Sequence, residues 1–213
     1  MVRFERFGGV SGAIGVAAIA TQFLVAGTLA PDAASLVQHR MRWEWATLLR
    51  AVGGLGIIWF TAGLAARLRR WVEAQALGPS RLVLGSGLLW GSIWLMSAAF
   101  NSTAISLATT YEDPDRVRLL SILGIQSVLV LTPVLTIAFL VATGVAILAA
   151  PTFPKRFAYT AFAAALGRFA MAIVDWEGGA DLAMRIMDFT LMWVAVTSIH
   201  LLGATRPAPE PGR

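Results

Sequence analysis

Cysteine is absent from this 213-residue chain, lysine occurs once, at Lys155, and histidine twice, at His39 and His200. Without cysteine there is no disulfide, no thiolate metal centre and no thiol-linked quinone chemistry. Two histidines, one of them in a loop, do not supply paired axial ligands for a membrane haem, and no H-E-x-x-H run exists for zinc. Lys155 also lies in a loop, which removes a retinal Schiff base in the last spans. No cofactor and no metal ion are therefore expected. Charge is scarce as well. Charged residues make up 14% of the chain and hydrophobic ones 57%, against about 25% charged in a soluble domain, and the mean hydropathy is +0.71. A water-soluble fold does not fit that composition.

What is present is a set of long apolar runs. Crossing a hydrocarbon core of about 30 Å takes about 20 apolar residues as a helix, and six segments qualify: Phe7–Leu29, Thr47–Ala66, Leu82–Leu107, Leu119–Ala149, Phe157–Val174 and Ile186–Ala204. The reading is an all-α polytopic membrane protein, a bundle of six transmembrane helices in one domain over residues 1–204. The Pro-rich tail at 205–213 is expected to be disordered. The fourth run is too long to cross straight and is expected to tilt, to project into the headgroups or to kink at Pro133. A cleaved secretory signal is disfavoured, because the first apolar run exceeds the usual length and Pro31 follows the best cleavage point.

Basic residues in the short loops set the orientation. Ten lie on one side: Arg3, Arg6, Arg67, Arg69, Arg70, Arg81, Lys155, Arg156, Arg206 and Arg213. The opposite loops hold Arg40, Arg42, Arg116 and Arg118 with most of the acids, among them Asp32, Glu44, Asp113, Asp115, Asp175 and Asp181. Both termini are thus expected in the cytoplasm. The excess of Lys and Arg reports topology, so no nucleic-acid partner is expected; the bilayer is the partner. In the first outer loop, Met41-Arg-Trp-Glu-Trp45 reads as an aromatic anchor at headgroup level, as do Trp71 and Trp176.

Polar side chains within the spans are the best functional clues, because hydrocarbon penalises them. Gln22, Arg50, Asn101, Gln126, Arg168 and Asp188 each fall in a different span, all in the outer half. Helical periodicity puts Gln22 with Ser11, Gly15, Ala18 and Ala26, and Arg50 with Gly53, Gly54 and Ile57. It also puts Asn101 on a line through Ser97, Trp94, Trp90 and Gly87, Arg168 with Ala161, Ala164 and Ala165, and Gln126 one heptad before Pro133. Small residues mark helix-packing faces, so all six are expected to look inward, around a polar hollow that opens outward above apolar packing. Arg168 is open to two readings, a structural ion pair with Asp175 or Asp188, or a cation that receives an anionic or polar ligand. His200 reads as hydrogen-bonded helix glue.

Catalytic patterns are thin. Gly9-Val-Ser-Gly12 matches the Gly-x-Ser-Gly of rhomboid proteases, with His200 as the available base, but that family carries its serine on a later span. Gly8 and Gly12 are better read as a Gly-x-x-x-Gly packing step. Arg6-Phe-Gly-Gly9 running into the first span, with Asp32 after it and five further spans, resembles a group of bacterial six-span integral-membrane proteins of unknown function. That likeness implies a bacterial cytoplasmic membrane and carries no activity. Three functions stay open: binding or transport of a small polar or anionic molecule in the outer hollow; a non-catalytic scaffold or subunit, with a homo-oligomer or membrane partner; or an intramembrane enzyme, for which the chain offers no convincing nucleophile or acid/base pair.

Overall fold

In a computed structural model, residues 2–26, 32–71, 77–110, 113–150, 153–176 and 180–203 are described, with side chains at 6–26, 32–69, 78–110, 113–150, 153–171 and 189–203. All regular structure among them is helical. The elements are α1 (Val2–Ala26), α2 (Ala33–Gln38), α3 (Arg40–Trp71), α4 (Leu77–Thr110), α5 (Pro114–Gln126), a π-helical segment (Ser127–Leu131), α6 (Thr132–Ala149), α7 (Arg156–Trp176) and α8 (Ala180–Gly203). Four stretches among the described residues are long and apolar enough to cross a membrane: Arg6–Ala26, Arg40–Arg69, Gly78–Thr110 and Pro114–Ala149. Phe189–Gly203 is a shorter apolar helix. The expectations for the 205–213 tail and for Trp71, Trp176 and Asp175 lie outside the described residues or side chains.

The long helices close a ring in which α1 packs on α3, α3 on α4, α4 on α6, α6 on α7, α7 on α8 and α8 back on α1. Glycine permits the tightest seam. A methyl at Gly8 would stand 2.8 Å from Gly63 Cα, and one at Gly15 would stand 3.0 Å from Gly56 Cα. The backbones of α1 and α3 are therefore in contact, as small-residue steps allow in lipid. Inside the ring, Phe139 on α6 is the hub, with ring centroids 6.4 Å from Phe60, 5.7 Å from Trp90 and 6.2 Å from Trp193.

The fourth apolar run does not tilt through as one regular helix. Pro133 has no N–H, and its ring would crowd a carbonyl one turn back; the chain widens into the π segment immediately before it. One turn on, the Thr136 hydroxyl bonds back to its own helix, at 2.8 Å from Thr132 O and 3.0 Å from Pro133 O.

The outer loop also departs from expectation. Asp32 caps α2 by accepting from the Ser35 amide at 2.7 Å, and α3 begins at Arg40, so Met41–Trp45 is the first turn of a long helix. Trp45 is exposed and suits an anchor, whereas Trp43 is buried and its Nε1 donates to Ser35 Oγ at 3.2 Å. The reason is a second apolar cluster at the outer end, in which α2 folds over the bundle: Leu36, Trp43, Ala46, Ala104, Ile105, Ala108, Val117 and Ala26.

Candidate functional site

Between the two apolar clusters lies a polar stratum. On α1, Gln22 separates Ile19 of the large core from Ala26 of the outer cluster; on α3, Arg50 separates Ile57 from Ala46. On α4, Ser97 and Asn101 separate Trp94 from Ala104, and on α5, Ser121 and Gly124 lie between Val117 and Val128. The layer of similar depth expected from the sequence is thus present on these helices, with apolar packing beneath it. It is also roofed by the outer cluster, which corrects the picture of an openly exposed hollow.

Three helices meet in one hydrogen-bonded relay. Arg50 Nη1 donates to Ser97 Oγ at 2.9 Å, and Ser97 Oγ donates to the Gly124 carbonyl at 2.6 Å. Ser127, the first residue of the π segment, donates to that carbonyl at 3.0 Å. Gly124 packs against Asn101, whose Oδ1 would lie 2.8 Å from a methyl at that position. Arg50 is only 6% exposed. Among the described residues it has no carboxylate partner, and its Nε makes no hydrogen bond. A buried guanidinium with a single hydroxyl partner is an uncompensated positive charge in a medium of low dielectric.

Gln22 adds a second unfilled demand. The α1/α3 seam runs antiparallel, with Gly8 against Gly63, Gly15 against Gly56 and Ile19 against Gly53, a register that sets Gln22 level with Arg50. Gln22 is 1% exposed, and among the described residues neither Oε1 nor Nε2 has a hydrogen-bond partner. Asn101 Oδ1 and Ser121 Oγ are buried and likewise have none among the described residues. Each such group costs about 1–3 kcal/mol when left unsatisfied.

None of the family models, curated proteins or solved structures compared with the chain matches it. The site therefore rests on its own geometry.

The remaining sequence candidates divide. Arg168 is buried beside Ala161 and Ala165 and is held by an interaction of its own, consistent with the inward face expected for it. Asp188 lies on α8, and its side chain falls outside those described. Gln126 is a correction: it is exposed on the outside of the bundle. The π segment explains this, because the residue it adds to the turn rotates everything before it by about 100° relative to Pro133.

His200 is a second correction, since its ring stacks between Phe153 and Phe157 at centroid distances of 5.3 and 4.7 Å and forms no hydrogen bond among the described residues. The Ser11 hydroxyl donates to Phe7 O at 2.7 Å, within its own helix. The structure does not bring serine and histidine together as a dyad.

The sequence reading also missed a hollow. A hollow of about 590 Å³ opens at the outer end between α2 and α5, lined by Asp32, Ala33, Ala34, Pro114, Asp115, Arg118, Ser121 and Ile122. Ser121 lines this hollow and also belongs to the stratum, whereas Arg50, Gln22 and Asn101 do not line it. Residues 119–122 looked like plain span residues, and only the fold-back of α2 makes the hollow.

Proposed function

We propose that this chain is a six-span protein of the bacterial cytoplasmic membrane, with both termini inside, that binds or transports a small anionic molecule entering from the outer face. The observation that supports the ligand class is the buried Arg50 guanidinium, which has no carboxylate partner among the described residues, level with a Gln22 carboxamide that has no hydrogen-bond partner among them. An anion would accept from Arg50, while Gln22 and Asn101 orient its polar groups. Ser121 and Arg118 line the hollow between α2 and α5, the vestibule through which it arrives. The resemblance to bacterial six-span proteins and the charge alternation of the loops support the location and the orientation.

A scaffold or complex subunit is the second reading, favoured by the exposed Gln126 face. Thermal unfolding in detergent separates the two. Phosphate, sulfate, acetate and succinate should be compared at equal ionic strength. At least one should raise the midpoint by several degrees, as ligand linkage requires, and Arg50→Gln should abolish the shift. No anion-specific shift, or an equal shift in Arg50→Gln, rejects the binding reading.

A further inference from the structure

We propose that the chain forms a two-fold symmetric dimer through the outer face of α5, with Gln126 of one copy hydrogen-bonded to Gln126 of the other. This dimer is independent of the anion site and requires only that Pro114–Ala149, apolar enough to cross a membrane, lies in the bilayer.

Several hydroxyls on the bundle exterior are satisfied within their own helices. The hydroxyls of Ser86, Thr103, Thr109 and Thr160 donate to the carbonyls of Leu82, Ala99, Ile105 and Arg156, each four residues back in its own helix. The Gln126 side chain forms no hydrogen bond among the described residues and is exposed. Its neighbours on that face, Leu119, Leu123, Leu129, Val130 and Val134, are exposed and wholly apolar. The nearest charged residue of its helix, Arg118, is eight positions earlier, about 12 Å along the axis. A glutamine side chain does not span that distance to the headgroups.

A primary amide in hydrocarbon needs a partner that both donates and accepts. A second copy supplies one automatically, because a two-fold axis along the membrane normal places both Gln126 residues at the same depth and the carboxamide is complementary to itself. The apolar residues around it then pack across the interface, the arrangement by which glutamine promotes association of transmembrane helices. A different protein would need its own polar group at that depth.

The chain has no cysteine, so a single introduced thiol reports proximity without background. Leu123→Cys, which leaves Gln126 in place, should give a disulfide-linked species of twice the monomer mass under mild oxidation in phosphatidylglycerol/phosphatidylcholine vesicles. Phe169→Cys, on α7, should not. Adding Gln126→Leu should weaken dimerisation about three- to thirtyfold in a lipid-dilution series, and Gln126→Asn should retain part of it. Gln126 is exposed, so neither change should lower the unfolding midpoint of the monomer in detergent, and that measurement separates lost pairing from lost folding. Absence of a Leu123→Cys dimer, or dimerisation unchanged in Gln126→Leu, overturns the proposal.

Discussion

Gly56→Leu is expected to abolish folded, monodisperse protein. Glycines at 8, 15, 53, 56 and 63 bring α1 and α3 into backbone contact, and a Cβ at position 56 would stand 2.6 Å from Ser11 O. That neighbour is helix backbone, so it has no rotamer to move. Relief requires α1 to separate from α3 along the seam that aligns Gln22 with Arg50. Overpacking a close-packed interior costs about 1–3 kcal/mol where side chains can adjust, and here they cannot, so the loss should exceed that range. Gly85 is the control: a Cβ added there meets nothing within 4 Å. Gly85→Ala should be neutral or stabilising by up to about 1 kcal/mol, from helix propensity. Size-exclusion profiles and unfolding midpoints of the two variants in one detergent check both statements.

The second large effect concerns the relay. Ser97→Ala removes the hydroxyl that accepts from Arg50 and donates to Gly124 O. The carbonyl keeps Ser127, but Arg50 loses its hydrogen-bond partner. Leaving a buried charged group in that state should destabilise the protein by about 2–3 kcal/mol. Arg50→Leu in the Ser97→Ala background should then cost less than the two single changes added together, with a coupling of about 1–2 kcal/mol. Additive losses would show that the two side chains act separately. Ser86→Ala should change little, because that hydroxyl is exposed and bonds to its own helix.

The inward faces of Gln22 and Arg50 were legible in the sequence because small residues repeat at helical spacing around each of them, and that of Asn101 because it continues a line through Ser97, Trp94, Trp90 and Gly87; α1, α3 and α4 run through those positions without interruption. Gln126 was not legible for the converse reason. Its link to Pro133 assumed an unbroken 3.6-residue period, and the π segment at Ser127–Leu131 adds a residue to the turn. Proline announced a distortion but not its kind. The outer cluster was hidden too. It is assembled from alanines on α1, α3 and α4 with Leu36, Trp43, Ile105 and Val117, none of which forms a pattern within a single helix. The tryptophan-rich loop therefore read as an interfacial anchor, when one indole of the pair closes the roof over the polar stratum.

In the proposed route an anion reaches Arg50 from outside through the vestibule between α2 and α5. The most direct measurement of that route uses Ser121→Cys in the cysteine-free chain, labelled in right-side-out membrane vesicles with a cationic, membrane-impermeant methanethiosulfonate. The account predicts labelling from the outer face that is slowed by the stabilising anion when Arg50 is present and is insensitive to that anion in Arg50→Gln. Labelling only after the vesicles are permeabilised, or a rate that the anion leaves unchanged with Arg50 intact, would contradict it.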